Sequence, residues 1–420
     1  MRGRWRRTVA PASVGAAALA LSVAVAAAPW RAARPQEIPA PAAAAPATDG
    51  DASLYPQVSG EAALGLYAVG TYRATERARR GGDLFLFGEI AAGLHLSPHL
   101  SIQSVVKVEP IGERSPNAAL RGFYAQAAFL QELRLDWRAT DALQLYAGKF
   151  SAPFGRGFHD FPGILPPIRA DEGYEVAEAL GFGATWTVLA DPRFGEHDLS
   201  AAVFTLDTTF LSSTAFTRRR CCEGEYERFA RNTRAQGGPG NTGRLDNVAV
   251  ALDGDRIPWL PDFAYHLAMV SRAPGRDGTA REWGYAVGLR YELRWGRDSR
   301  TRLFAEHVEF RNAGGRPRVE IGIEDDMIEV PLAERRRFTT LGVQHHEGSW
   351  RAAAVWQRDQ RKRSLEALPA GQWVEVSLGR DLGGGFGFDL GWQHARIAQE
   401  DGRRGEAQAV LAVLRWRGGF

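Results

Sequence analysis

Between Glu282 and Arg294 every second residue is apolar. Trp283, Tyr285, Val287, Leu289, Tyr291 and Leu293 fall on one side of an extended chain, and Gly284, Ala286, Gly288, Arg290, Glu292 and Arg294 on the other. A period of two is the period of a β-strand. The same alternation returns at 179–190 (Phe182, Ala184, Trp186, Val188), at 349–360 (Trp350, Ala352, Ala354, Trp356), at 385–395 (Phe386, Phe388, Leu390, Trp392) and in the last strand (Val410, Ala412, Leu414, Trp416). An apolar face on every strand has to be covered. In a soluble sandwich a second sheet covers it. In a membrane barrel lipid covers it, and the other face meets a water-filled lumen. Here the polar faces carry full charges and the apolar faces carry aromatics near the strand ends, which favours the barrel.

From Val58 onward the pattern predicts strands at 58–72, 83–96, 99–109, 122–138, 142–150, 179–190, 197–209, 245–255, 262–272, 282–294, 301–311, 336–347, 349–360, 371–381, 385–396 and 406–417. The fold class is all-β: a transmembrane antiparallel β-barrel of about 16 strands, within 14–18, the even number that bacterial single-chain barrels require. Strands 197–209 and 301–311 leave their faces open, because Glu306 interrupts whichever face of the second is chosen.

Connection lengths are a second, independent signal. Short turns at Ser97-Pro98, Thr140-Asp141, 191–196, 296–300, Glu347-Gly348 and Gly383-Gly384 alternate with long charged loops at 151–178, 210–244 and 312–335. Short turns on the periplasmic rim and long loops on the extracellular rim are the habit of outer-membrane barrels. Both ends of the predicted barrel then fall on the short-turn side. A small hairpin is expected at 318–330 on an outer loop.

Composition narrows the rest. Mean hydropathy is −0.28, so no bundle of membrane helices is predicted, but alternating strands average out in any such window. With 52 basic and 49 acidic residues, the chain lacks the basic balance of a nucleic-acid binder. Cys221 and Cys222 are adjacent and build no disulfide framework. Residues 1–28 read as a signal peptide, with Arg2, Arg4, Arg6 and Arg7 ahead of an apolar stretch. Residues 29–57 form an Ala/Pro-rich periplasmic lead. Residues 58–420 are the outer-membrane barrel.

The segment 133–164, with its core Leu145-Tyr146-Ala147-Gly148-Lys149-Phe150 and then Pro153-Phe154-Gly155, resembles outer-membrane porins, including the phosphate-selective group and related porin-like proteins. A second echo is Gly238-Pro239-Gly240-Asn241-Thr242 leading into Val248–Leu252. The closing strand, with Trp416 and a terminal Phe420, resembles the assembly signal that the barrel-assembly machinery reads in that family, although Gly418 stands where the family usually has an aromatic. The resemblance implies a passive channel for small hydrophilic solutes in the outer membrane of a Gram-negative bacterium. Porins of this size often form homotrimers through a lipid-side patch, and the sequence shows no such patch.

In porins a loop placed like 151–178 folds inward and narrows the channel. Its charged members, Arg156, His159, Asp160, Arg169, Asp171 and Glu172, are the expected pore constriction; the plainer alternative is a surface loop with solvated charges. The expected lumen-lining residues are Glu132, Arg134, Asp136, Arg290, Glu292, Arg294, Arg351, Arg415 and Arg417, a nearly balanced set that allows a weak anion preference. Arginine clusters at 218–220, 335–337, 361–363 and 403–404 are expected in long loops, facing lipopolysaccharide phosphates or drawing anionic solutes toward the mouth, with solvated loop charge the plainer alternative. No metal or cofactor site is expected. His345 and His346 point to opposite faces, and the acidic run Glu324, Asp325, Asp326 and Glu329 lacks calcium-loop spacing. No nucleophile or nucleotide motif appears, so no enzyme is expected. Two rival readings stay open: a non-conducting surface barrel, and a barrel-embedded hydrolase for which His159 with Asp160 is the only hint.

Overall fold

A computed structural model of the chain describes residues 55–111, 119–217, 232–315, 318–323, 326–331, 333–364, 369–398 and 403–419. Sixteen strands build one closed wall: β1 (Gln57–Ala74), β2 (Gly81–His95), β3 (Leu100–Pro110), β4 (Gln126–Thr140), β5 (Leu143–Phe150), β6 (Ala179–Asp191), β7 (Gly195–Leu206), β8 (Asn247–Asp255), β9 (Phe263–Arg272), β10 (Glu282–Arg294), β11 (Ser299–Arg311), β12 (Glu334–Glu347), β13 (Trp350–Arg363), β14 (Gly371–Gly383), β15 (Phe386–Ala398) and β16 (Arg404–Gly419). Each pairs antiparallel with the next in sequence. β16 then pairs with β1, from Glu61 opposite Gly419 to Ala74 opposite Ala407. Closure leaves the wall without a free edge.

The alternation sorts side chains as a membrane wall requires. Val287, Leu289, Leu303, Leu341, Val376, Leu390 and Leu414 project outward and are exposed. Trp137, Trp186, Trp295, Trp350, Phe386 and Trp416 are also exposed, all at the short-turn end, and form the aromatic girdle expected at a membrane–water interface.

β7 and β11 were ambiguous in sequence for a structural reason. Ala202 and Phe204 of β7, and Phe304, Val308 and Phe310 of β11, face inward and are buried. Both faces of these strands are apolar because the chain itself, rather than water, covers the inner one. Glu306 shares that inner face and is buried.

Two arginine clusters expected in loops lie on strands instead. Arg335–Arg337 belong to β12 and Arg361–Arg363 to β13, because both strands continue beyond the apolar span. Alternation then splits the clusters between faces. Arg336 turns inward to Asp359 at 2.8 Å, while Arg335 and Arg337 turn outward to Glu309. Arg404 opens β16. The expected hairpin is present as a two-stranded ribbon, Arg318–Ile323 with Asp326–Pro331. Arg218–Arg220, Cys221, Cys222, Glu324, Asp325 and Phe420 lie outside the described residues.

Candidate functional site: an insert across the lumen

β5 stops after eight residues, and the chain turns off the wall at Ser151. Above that point Ala127, Ala128 and Phe129 of β4 pair with Thr214–Thr217, a piece of the next long loop that fills the gap in the wall. Gly148 marks the departure. Its φ is +131°, and a Cβ there would lie 2.4 Å from the Leu133 carbonyl oxygen, so only glycine fits. The Ala152 N–H donates to the Val176 carbonyl at 2.9 Å and ties the outgoing and returning stems together. Between the stems run two short helices, α1 (Gly157–Asp160) and α2 (Pro166–Tyr174), the second opened by prolines suited to a helix start.

The insert docks on opposite walls. On one side Phe154, Phe161, Ala170 and Tyr174 pack with Phe204, Ala249, Val270, Phe304, Phe310 and Phe338, from β7 to β12. On the other, Ile164 packs with Leu411 and Val413 of β16, and Ile168 with Phe85 and Phe87 of β2. The segment therefore crosses the barrel, in the long-loop half of most of the strands it touches.

Inward carboxylates and amides satisfy the backbone this crossing exposes. Glu306 accepts from the Arg156 N–H at 2.7 Å and from the Tyr174 hydroxyl. Glu375, 1% exposed, accepts from the Ile164 and Leu165 N–H groups. His266 Nε2 accepts from the Gly155 N–H at 3.2 Å, and its Nδ1 lies 2.9 Å from Asp253. Lys107 of β3, 2% exposed, donates to Asp171 and sits 4.6 Å from the centre of the Phe158 ring.

Burial shapes the insert's own titrations. It pushes the Tyr174 hydroxyl well above its usual range, and the Glu306 charge adds to this. Burial, then the hydrogen bond to Asp171, raises the Glu175 carboxyl well above the usual carboxylate range. Burial, then the Arg156 charge, holds His159 below the ordinary imidazole value.

Open space remains beside the insert. A cavity of about 320 Å³ is lined from Ser97 and His99 at the short-turn rim, past Arg134 and Tyr146, to Ser151 and Glu175. A second, of about 160 Å³, lies against Asp198, Arg290 and Glu306. Arg156, Asp253 and His266 line both.

No protein-family model matches the chain, and no curated protein matches it. Solved structures do. The chain is similar to OprB of Pseudomonas putida, at 10% identity over 87% of this chain and 94% of that one, with a TM-score of 0.53. It is also similar to the outer membrane channel DcaP of Acinetobacter baumannii, at 8% identity over 86% and 96%, with a TM-score of 0.51. The fold is that of an outer-membrane porin. At such identities the likeness carries the porin fold alone, and the site has to be read from this chain's own residues.

Within that fold, three of the singled-out residues come together. Asp160 lies 3.3 Å from Arg156 and 3.5 Å from Arg290, and Arg156 also reaches Asp253 at 3.4 Å. His159 is half-buried, edge-on to Phe158. Arg169 lies apart, donating to Gln357 at 2.7 Å with its guanidinium 5.1 Å over Trp373. Asp171 is held by Lys107, and Glu172 is exposed. On the wall, Arg134 sits 3.3 Å from Glu132 and 3.0 Å from Asp136. Glu292 contacts Arg294 at 3.1 Å and Arg302 at 2.5 Å. Arg351 bridges Asp381 and Asp389, Arg415 shares Asp389, and Arg417 pairs with Glu61. Trp416 projects outward in the girdle.

Lys107, Tyr174 and His266 were not singled out in the sequence, and Glu306 stood out only as an interruption of its strand. One signal was available for the first. The chain has three lysines, Lys107, Lys149 and Lys362, among 52 basic residues, and two of them are buried at the insert.

Proposed function

We propose that this barrel is a passive channel in the outer membrane of a Gram-negative bacterium, admitting small hydrophilic solutes with a weak anion preference and catalysing no reaction. The observation that carries this reading is the polar space left between the insert and β3–β5, with Arg134, Glu132, Asp136 and Tyr146 on the wall and Arg156 and His159 on the insert. Solutes pass along this side, and Arg156, His159 and Asp160 form its narrow part. Arg169 acts on the far side of the same constriction, against Gln357, while Asp171, held by Lys107 of β3, and Glu172 complete its charged set. Charges of both signs interleave on the wall and cancel beyond about 8–10 Å at physiological salt. Selectivity is therefore set in the narrow part, where low-dielectric walls focus the field. The barrel-assembly machinery inserts the protein by reading Trp416 and Phe420.

The test is a reversal-potential measurement in planar bilayers under a potassium chloride gradient, with Arg156→Ala and Arg169→Ala. A weak anion preference that fades at high salt, and falls in Arg156→Ala, is expected. A cation-selective pore, or one unmoved by both substitutions, removes the insert as the filter.

The apolar docking of Ile164 and Ile168 favours a second reading, a non-conducting surface barrel. A folded barrel with no conductance would select it. The hydrolase reading has less support. His266 is oriented by Asp253, but its other nitrogen is occupied by the Gly155 N–H. Ser59 and His95 lie 2.8 Å apart at the short-turn mouth, yet among the described residues no carboxylate hydrogen-bonds His95.

A further inference from the structure

On the outer faces of β11, β12 and β13, cations stand above the apolar span. Cross-strand register sets three outward rows side by side. They are Arg311, Arg335 and Lys362; then Glu309, Arg337 and Gln360; then His307, Thr339 and Arg358. The next rows down are Ala305, Leu341 and Trp356, then Leu303, Val343 and Ala354. The opposite parity of the same strands is accounted for inside: Arg336 pairs with Asp359, Phe338 packs on Tyr174, and Gln357 bonds Thr340.

Among the described residues the patch holds five cations and one carboxylate. Glu309 accepts from Arg311 at 3.1 Å, Arg335 at 2.6 Å and Arg337 at 3.0 Å, which gathers the three guanidinium groups around one carboxylate. Their side chains remain 60%, 42% and 36% exposed. Among the described residues none hydrogen-bonds the buried Nε of Arg358. By contrast, the outward Arg396 near the long-loop end of β15 is balanced by Glu406 at 3.4 Å.

Excess positive charge fixed at the margin of a hydrocarbon layer is costly unless an anion meets it. Several guanidinium groups at one level match phosphate oxygens, which they bind bidentately. We propose that this face binds a phosphate-bearing lipid headgroup of the leaflet on the long-loop side. Arg335 and Arg337 are the principal phosphate ligands, and Arg311, Arg358 and Lys362 flank them. The site rests on the membrane reading of the outer wall and not on conduction, so the two stand or fall separately.

The experiment is native mass spectrometry of the full-length barrel, refolded in neutral detergent and incubated with diphosphoryl lipid A, its dephosphorylated form, or diphosphoryl lipid A plus inorganic phosphate. Retention of the diphosphorylated lipid alone is expected, with inorganic phosphate failing to displace it at equal concentration. The triple variant Arg335→Ala, Arg337→Ala, Arg358→Ala should lose roughly 100-fold in retention, about fivefold for each cation removed. The lumen-facing Arg361→Ala should lose nothing. A triple lysine variant should keep most of the retention, and it preserves the test if the alanine variant fails to fold. Unchanged retention in the alanine variant overturns the proposal, as does equal binding of the dephosphorylated lipid. Displacement by inorganic phosphate would mean a free-anion site and overturn it. Loss of an oligomer in the variant, with lipid retention intact, would mark the face as a contact between copies of the chain and overturn it as well.

Discussion

Lys149 Nζ lies 2.9 Å from a carboxylate oxygen of Glu178, with no part of the lysine exposed. The same nitrogen meets Asp207 at 2.9 Å and donates to the Leu211 carbonyl at 2.9 Å, so all three of its donors are used. Lys149 is the last residue but one of the strand before the lumen insert, Glu178 ends the insert, and Asp207 begins the next long loop. One ammonium group thus fixes where the insert leaves and rejoins the wall.

Lys149→Met would leave two buried carboxylates without their cation. Breaking a buried pair by removing one partner costs about 3–5 kcal/mol, so a loss of that size is expected in equilibrium urea unfolding of the barrel in micelles. A loss under about 1 kcal/mol, the worth of an exposed pair, would mean that water reaches the site.

The faces of β10 can be tested at adjacent positions. Leu289 is outward and exposed, and Leu289→Arg should destabilise the barrel by roughly 2–4 kcal/mol if it meets the bilayer core. Arg290 faces inward, 3.5 Å from Asp160, and Arg290→Ala should fold normally. Equal damage from both changes would reverse the assignment of faces.

The docked insert should lose stability as pH rises above neutrality. His159 is depressed by burial and by Arg156, with Asp160 opposing and Lys107 and Glu132 also in range. The released loop then binds the proton more tightly than the docked one. Docking is fullest above the ordinary value of about 6.5 and weakens as pH falls toward the depressed value. Glu175 is raised by burial and Asp171, against Lys107, with Glu89 nearby. Its contribution is fullest below the ordinary value of about 4.3 and is lost as pH rises toward the raised one. The two dependences oppose one another between the depressed His159 value and about 6.5, and above that only the Glu175 loss remains, so hydrogen-exchange protection across residues 151–178 should fall as pH rises past neutrality. Glu175→Gln should remove this alkaline loss and expose the acid loss set by His159, and His159→Gln should extend the alkaline loss to lower pH. Protection that is flat with pH would show that neither group is coupled to docking.

Removing Phe420 tests the proposed assembly signal. Barrel levels at the cell surface, scored by heat-modifiable mobility, should drop sharply in the deletion, while the purified chain should still refold in detergent. Normal surface levels would dismiss the signal.

The alternation of residues such as Tyr285, Val287 and Leu289 with Ala286, Gly288 and Arg290 determined the strands, their number and their faces. The sorting of loop lengths determined which rim is which. Both are local, because a strand's two faces are written into every pair of neighbouring residues. What covers a face is not local. Phe304, Val308 and Phe310 are apolar for the insert, Leu303 and Leu341 for the surroundings of the barrel, and period-two patterning cannot tell these apart. The apolar inner face therefore read as ambiguity in β11, and Glu306 as an interruption, until Tyr174 and Arg156 were seen to arrive from residues more than a hundred positions away. Likewise the arginines of β12 and β13 formed two runs in sequence. Only the register of three strands, which sets Arg311, Arg335 and Lys362 in one row, made of them an outward basic surface with its own chemistry.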